Sequence, residues 1–341
     1  MQTYTVHRKA GRQSVLLEKN VALISVATVA GPKEGAGPLS QFFDRCCTDI
    51  FCQEESFEKA ELQMLEEACY LALGKAGLSP EDMDYYIGGD LLNQIITSNF
   101  CARSLALPYL GIFGACSTLS QGLALGAMLI QGGFARYILV GTSSHNCTAE
   151  RQYRYPTEYG FQRPAYAQWT VTGAGAVVLG PAGEGRGPAI EAITVGKVVD
   201  AGLKDPLALG TAMAPAAADT IYHHFQDLKR QPNDYQLILS GDLGGVGKKL
   251  NEDLLAAKGF DIAPLYGDCG VLMYYPHQKV NSGGSGCACI ALAFLGYFYP
   301  KMLTQELRKV LLVATGALHS PTSYMQQESI PAIAHALALE I

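Results

Sequence analysis

The sequence has few charged residues. Only 16% of its 341 residues are Asp, Glu, Lys or Arg, while 49% are hydrophobic. This balance predicts an extensively buried β-sheet, or surface that is covered in an oligomer. The net charge of −6 also argues against a nucleic-acid partner, because phosphate binding needs a clustered positive surface.

Segments typical of secretion or membrane insertion are absent from the sequence. The stretch before Val21 contains no apolar core of the kind that a signal peptide has. The longest apolar run, Cys287 to Tyr299, is shorter than the ~20 residues that a membrane helix needs. We therefore expect cytoplasmic synthesis, without a signal or transmembrane segment.

Motifs for metals and nucleotides are also missing. The ten cysteines include no C-x-x-C pair, and a closed zinc site normally uses such pairs. Most of these thiols are expected to be reduced and buried as small hydrophobic groups. The glycine-rich segments "AGPKEGAGPL" and "GGSG" do not match G-x-x-x-x-G-K-[ST], so neither is interpreted as a phosphate loop.

What the chain does contain is an internal repeat. "SPEDMDYYIGGDLL" (79–92) aligns without gaps with "QPNDYQLILSGDLG" (231–244). Further along, Cys116 aligns with Cys289, and the second copy has an insertion near Tyr266–Gly284. The duplication predicts two halves: residues 1–180, which include a large loop at 145–171, and residues 181–341.

Each half shows the same order of predicted elements. Short, continuous apolar runs are typical of strands that are covered on both faces. Alternating strands and helices predict right-handed crossovers and a layered α/β architecture, with the two cysteine-led helices meeting at its centre. The predicted strands are Val21–Ala27, Asp84–Gly89, Arg136–Val140, Ala189–Val195, Gln236–Gly241 and Lys309–Ala314, and the predicted long helices are Phe57–Lys75 and Ala216–Leu228.

Several segments, in order and spread over both halves, are similar to a known family. They are "AGPKEGAGPL", "GDLLNQ", "FGACST", "SSHNCTAERQYRYPTEYG", "GTAMAPAAADTI", "SGDLGGVG" and "GGSGCAC". A duplicated α/β half with a cysteine at the start of a central helix resembles the thiolase fold, which ketoacyl synthases share. Within that superfamily, these segments resemble the stage V sporulation protein AD family of spore-forming bacteria.

The resemblance implies a thiolase-like α/β fold, in which two duplicated halves form a layered αβαβα architecture. It implies non-catalytic binding of dipicolinic acid (pyridine-2,6-dicarboxylate), alone or with calcium, for uptake into the developing spore. The implied partners are this acid, a second copy of the chain in a homodimer, and other membrane proteins of the same sporulation transport system. Those proteins would bring the chain to the spore inner membrane as a peripheral subunit. No cofactor is implied.

Cys116 is the candidate nucleophile if the protein is an enzyme. A helix N-terminus is expected to lower the pKa of this thiol through the helix dipole and its free N–H groups. The resemblance places Asp242 near the position of the synthase histidine, and "NSGGSGCAC" where thiolases carry Gly-His-Pro. The segment "LLVATGALHSP" lacks the second thiolase cysteine. These departures favour binding, while an acyl-transferring enzyme and a structural subunit with a vestigial pocket remain alternatives.

The predicted binding site combines hydrogen-bond donors with small residues that leave room for a flat ring. Arginines suit carboxylates, and carboxylate or amide oxygens suit calcium. The predicted ligand-binding residues are Cys116, Ser117, Asp90, Asn93, His145, Arg151, Arg154, Asp242 and Ser285, of which Asp90, Asn93 and Asp242 are the candidate calcium ligands.

Each of these assignments has a structural alternative. Asp90 and Asp242 suit helix caps equally well. The arginine- and tyrosine-rich loop suits a dimer interface as well as a ligand. Cys289 is interpreted as structural, and His223 and His224 are expected to be solvated on an amphipathic helix.

Overall fold

The computed structural model describes residues 9–18, 21–153 and 163–341. Its strands are β1 (Ser14–Leu16), β2 (Val21–Ala30), β3 (Arg45–Cys46), β4 (Tyr85–Gly89), β5 (Tyr109–Gly111), β6 (Ile138–Ser144), β7 (Trp169–Thr170), β8 (Gly173–Pro181), β9 (Ala189–Val195), β10 (Leu237–Ser240), β11 (Tyr266–Asp268), β12 (Gly284–Ser285), β13 (Lys309–Ala317) and β14 (Ala332–Glu340). Its α-helices are α1 (Pro32–Gly35), α2 (Phe57–Ala76), α3 (Ile96–Leu105), α4 (Thr118–Gln131), α5 (Asn146–Tyr153), α6 (Leu209–Leu228), α7 (Gly244–Ala256), α8 (Cys269–Leu272), α9 (Cys287–Ile290), α10 (Tyr299–Leu303) and α11 (Pro321–Met325). A π-helical stretch, Ala291–Phe298, joins α9 to α10.

The strands of the described chain form two symmetric sets that meet at Ala22 and Ala189. The first set has the order β2-β8-β6-β4-β5, and the second has the order β9-β14-β13-β10-β11. Each strand of the first set therefore has a counterpart at the same place in the second, as the internal repeat predicts. The insertion predicted near Tyr266–Gly284 contains α8 and β12.

Helices complete the layers. The helix α4 contacts strands of both sets, and the π-helical stretch packs on β2 and β8. The helices α2 and α3 cover the first set, while α6 packs on β13 and β14 of the second. The central helices are low in charge because both of their sides are buried. The predicted layered α/β architecture is therefore confirmed.

The predicted boundaries differ most at α6 and in the segment 145–171. The helix α6 begins at Leu209, before Pro215, although the sequence predicts a start after this proline. The segment predicted as a loop contains α5, which places the side chains of neighbouring residues on different faces. The structure also contains a disulfide, Cys47–Cys52, that no spacing rule predicts, while the other cysteines are free.

The first described strand, β1, belongs with the second set of strands. β1 pairs antiparallel with β9, with Ser14 opposite Thr194. The backbone N–H groups of Arg12, Gln13 and Ser14 donate to the Asp227 carboxylate over 3.2, 2.9 and 3.0 Å. The N-terminal strand thus contacts the half that follows residue 180.

The expectation that His224 is solvated is wrong. Its side chain is fully buried, with Nδ1 2.7 Å from the Thr194 hydroxyl and Nε2 2.5 Å from the Tyr235 hydroxyl. Burial lowers the pKa of His224 to about 3, so the ring stays neutral in the folded protein. This face of α6 lies against the sheet rather than water.

We expect the stability contribution of His224 to be lost in acid. The pKa of His224 is 6.5 in the unfolded chain and about 3 in the folded protein. Between these two pH values the unfolded chain binds a proton that the folded protein does not bind, so acid favours unfolding. The wild type should therefore lose stability relative to His224→Gln, which cannot titrate. Denaturant unfolding of both proteins should show their free-energy difference narrowing by about 2 kcal/mol between about pH 7 and pH 4.5. A difference that is constant with pH would contradict the neutral ring.

Candidate functional site

Cys116 lies in a tight turn that leads into α4. The turn begins with Ala115 at a positive φ of 48°. The Ser117 hydroxyl donates to the Gly114 carbonyl over 2.7 Å, and the Thr118 hydroxyl donates to the Ala115 carbonyl over 2.7 Å. These contacts fix the thiol at the helix start, where the sequence predicts it, with 8% of the residue exposed.

Asp242 is the polar partner of this thiol. One carboxylate oxygen accepts from the Thr315 hydroxyl over 2.6 Å, and the other accepts from the Gly286 N–H over 3.0 Å. The Cys116 thiol lies close enough to this carboxylate for each group to shift the pKa of the other. Burial raises the pKa of Asp242 to about 7.

The expected lowering of the Cys116 pKa is wrong. Burial raises the pKa of this thiol well above its ordinary value, and the negative charge of Asp242 and the nearby Cys287 add to the effect. The opposing hydrogen bond from the Gly286 N–H is a smaller influence. The thiol at the start of α4 is thus protonated, because desolvation raises its pKa by more than the helix N-terminus lowers it.

The neighbour of Cys116 from the second half is Cys287. Its thiol donates to the Ala115 carbonyl over 3.0 Å. Cys289, which aligns with Cys116 in the repeat, donates to the Gly241 carbonyl over 3.3 Å and is fully buried. This is the structural role predicted for Cys289.

The two repeated aspartates have different roles. Asp90 accepts from the backbone N–H groups of Leu92 and Ser98 over 2.9 and 2.8 Å, so it caps the segment that follows β4. Asp242 makes no such contact with the segment that follows β10, where the N–H groups of Leu243 and Gly244 donate to Asp268. The capping alternative therefore holds for Asp90, while Asp242 lies at the thiol.

A cavity of about 630 Å³ opens above this cluster. Cys116, Leu91 and Tyr153 pack in one apolar cluster, against which Leu318 packs, and these last three side chains also line the cavity. The cavity is lined by Leu91, Leu92, Asn93, Gln94, Ile95, Phe113, Gln152, Tyr153, Leu318, His319, Ser320, Pro321 and Ser323. Cys116 itself lies behind this lining.

Two residues of the cavity wall, His319 and Tyr153, were not predicted from the sequence. Only 3% of His319 is exposed, and neither ring nitrogen has a hydrogen-bond partner among the described residues. Its ring lies 6.4 Å from that of Tyr153 and 6.2 Å from that of Tyr324. Burial raises the pKa of Tyr153, with further contributions from Cys116 and Cys287. The signal available in the sequence was the histidine that follows the apolar run of β13.

Of the other predicted residues, Asn93 lines the cavity, whereas Ser117 and Ser285 are buried and do not line it. His145 is placed elsewhere: its Nε2–H donates to the Ile50 carbonyl over 2.8 Å, and its Nδ1 accepts from the Cys147 N–H over 3.2 Å. The expectation that His145 points into the pocket is therefore wrong.

The predicted arginines also differ from expectation. Arg151 is exposed and pairs with Glu58, because α5 turns it outward while Tyr153 faces the cavity. Arg154 lies outside the described residues.

The described residues include no group of three or more His, Cys, Asp or Glu that could hold a metal ion. Asp90 and Asp242 instead use their oxygens for the internal hydrogen bonds described above. Within the described ranges, every helix is too short or too polar to cross a lipid bilayer.

Solved structures share this architecture. 3-Oxoacyl-[acyl-carrier-protein] synthase III from Aquifex aeolicus VF5 is 16% identical with a TM-score of 0.59, and the match covers 94% of this chain and 100% of that one. A variant of OleA from Xanthomonas campestris is 13% identical with a TM-score of 0.63, over 96% of this chain and 100% of that one. The fold is therefore thiolase-like, as predicted.

The sequence comparisons define the family within this class. The family model for stage V sporulation protein AD (SpoVAD) matches residues 11–340. The stage V sporulation protein AD of Bacillus subtilis (strain 168) is 48% identical over 331 residues, which are 97% of each chain. The chain belongs to the stage V sporulation protein AD family.

Proposed function

We propose that the protein binds dipicolinic acid in the cavity beside Cys116 without converting it, for uptake into the developing spore. The observation that carries this proposal is the buried imidazole of His319 in the wall of a preformed cavity, where neither ring nitrogen has a hydrogen-bond partner of good geometry among the described residues. A buried polar group without a partner is costly, and a ligand that satisfies it gains that free energy.

The shape and chemistry of the lining support a flat, polar ligand. Leu91, Phe113 and Leu318 offer apolar contacts for a ring. Amide groups on the same wall offer hydrogen bonds to carboxylates. These amides belong to Asn93, Gln94 and Gln152, while the hydroxyls of Ser320 and Ser323 donate within their own turn. A few placed polar groups in a mostly apolar cleft are typical of a small-molecule site.

The state of Cys116 supports binding over catalysis. Acyl transfer needs a thiolate and a group that handles the proton. Here burial and the nearby negative charge of Asp242 raise the pKa of the Cys116 thiol well above its ordinary value, so the thiol keeps its proton. Among the described residues, no histidine hydrogen-bonds to Cys116.

Calorimetric titration with dipicolinic acid tests the proposal. We expect saturable binding by the native chain and by Cys116→Ala, because the thiol lies behind the lining. Pyridine-2-carboxylic acid, which lacks one carboxylate, is the matched weaker ligand. Parallel titrations with calcium and with a chelator separate the free acid from its calcium complex. No detectable heat at millimolar acid under any of these conditions would overturn the proposal.

Cysteine labelling distinguishes the binder from the acyl-transferring enzyme. Half-buried Cys46 and Cys147 should react with iodoacetamide first, and Cys116 should lag behind both at about pH 7.5. Peptide mass spectrometry at timed quenches measures each site. Rapid, selective labelling of Cys116 together with thioester turnover would favour the enzyme.

We also propose that the chain forms a homodimer through the edge strand β5. Exposed apolar side chains lie on β5, on the adjoining α3 and just after β5: Leu110, Ile96, Phe100 and Phe113. An unprotected, apolar sheet edge is suited to pairing with a second copy. Light scattering should give a dimer mass that Phe100→Glu reduces and that Phe134→Glu, on an exposed residue at the end of α4, leaves unchanged. A monomeric native chain would refute this arrangement.

The proposed place of action is the spore inner membrane, where membrane proteins of the transport system would hold the chain. The protein should bind membranes from sporulating cells and should not bind vesicles made of lipid alone. Binding to lipid alone would argue against the requirement for protein partners.

A further inference from the structure

The described part of the cavity lining carries no permanent positive charge. None of the described residues that line it is lysine or arginine. At neutral pH both carboxyl groups of dipicolinic acid are ionised, so the ligand brings two negative charges. Transferring a dianion into such a lining without a countercharge is unfavourable, because desolvation is not compensated.

His319 is the basic group on the described wall. A neutral imidazole donates one hydrogen bond, and its second nitrogen presents a lone pair that repels a carboxylate oxygen. A protonated imidazole donates from both nitrogens and supplies a countercharge. Neither ring nitrogen of His319 has a hydrogen-bond partner of good geometry among the described residues, and the weak interaction of the ring with the Tyr153 backbone leaves both nitrogens available for these contacts.

The groups that face His319 do not supply this charge themselves. Tyr153 faces it from α5 and Tyr324 from α11, and a phenol side chain cannot carry a positive charge. The wall formed by the segment after β4 contributes amides, and its carboxylate, Asp90, is buried behind the lining with both oxygens hydrogen-bonded. Burial lowers the pKa of His319, so the free protein holds this ring neutral at pH 7.

We propose that the cavity binds its dicarboxylate together with one proton, which His319 takes up. This inference rests on the proposed function, since it concerns the same ligand and site. The proton passes from solvent to the free ring nitrogen, and the resulting imidazolium pairs with a ligand carboxylate. By linkage, affinity increases as the pH falls between the pKa of His319 in the complex and its lower pKa in the free protein.

Calorimetric titration in buffers of different ionisation enthalpy measures the number of protons that the protein takes up when it binds dipicolinate. The native chain should take up close to one proton per dipicolinate at about pH 7. Its Kd should fall by up to about tenfold per pH unit as the pH is lowered from about 8 to 6. His319→Gln keeps a donor and an acceptor but cannot titrate, so both effects should disappear in this variant.

Asp242→Asn is the matched control, because the pKa of Asp242 is about 7 and its proton could also respond to the ligand. Asp242→Asn should still take up close to one proton per dipicolinate bound. NMR titration of the His319 ring in the native chain, with and without dipicolinate, gives a second measure that does not depend on any variant. The pKa of this ring should rise on binding.

The outcomes separate the two proposals. Binding without proton uptake, or uptake that survives in His319→Gln, would overturn the role of His319 and leave the proposed function standing. Absence of binding at every pH would overturn the proposed function itself.

Discussion

Replacing Gly316 by alanine is expected to destabilise the protein by about 3 kcal/mol, because the new methyl group has no space. A Cβ at this position of β13 would lie 2.1 Å from the Gly114 carbonyl oxygen and 3.1 Å from the Ser117 nitrogen. Both atoms belong to backbone, and the Gly114 carbonyl accepts the two hydrogen bonds of Ser117 that close the Cys116 turn. Relief of the clash therefore requires that the turn move.

Gly74→Ala is the matched control for this substitution. Gly74 lies in α2, and a Cβ there would meet nothing within 4 Å. Alanine should therefore stabilise the helix by up to about 1 kcal/mol. Chemical denaturation measures both variants, and an unfolding free energy for Gly316→Ala equal to that of the wild type would contradict the close approach of β13 to the turn.

Ser323→Asp is expected to weaken dipicolinate binding about 30-fold. Ser323 lines the cavity, so a carboxylate there would repel the dianion and compete for His319. A repulsion of about 2 kcal/mol corresponds to this change in Kd. The fold should tolerate the substitution because residue 323 is the third residue of α11, where an acidic side chain can accept from the Ser320 N–H.

Ser323→Asn has a similar size without the charge, and its Kd should stay within about threefold of the native value. Thermal denaturation of both variants checks that the fold is retained. Equal affinities for the aspartate and asparagine variants would place the ligand outside this cavity.

The two matching sets of strands were predictable because both halves of the sequence contain apolar runs in the same order and a repeated Gly-Asp pair. Cys116 at the start of α4 was predictable for the same reason. The separate roles of Asp90 and Asp242 were not, since both follow equivalent strands and look alike in the aligned segments. Only the surrounding donors, supplied from distant parts of the chain, distinguish a cap from a partner of the thiol.

The residues that line the cavity were harder to predict from the sequence than Cys116, which lies behind them. Whether Arg151 or Tyr153 faces inward depends on α5 forming within a segment that looks like an irregular loop. His319 becomes significant only through its burial and through the lack of a partner among the described residues. His224 shows the same limit, because an amphipathic pattern does not reveal which side of a helix a second layer covers.

The pairing of β1 with β9 has a consequence for the order of folding. β1 leaves the ribosome well before its partners, because Thr194 is 180 residues further along the chain than Ser14 and Asp227 is 213 residues further along. Contacts between such distant residues form only after a long loop has closed. β1 should thus be among the last of the described strands to dock, and its docking joins the completed second set of strands to a first half that has had time to fold on its own.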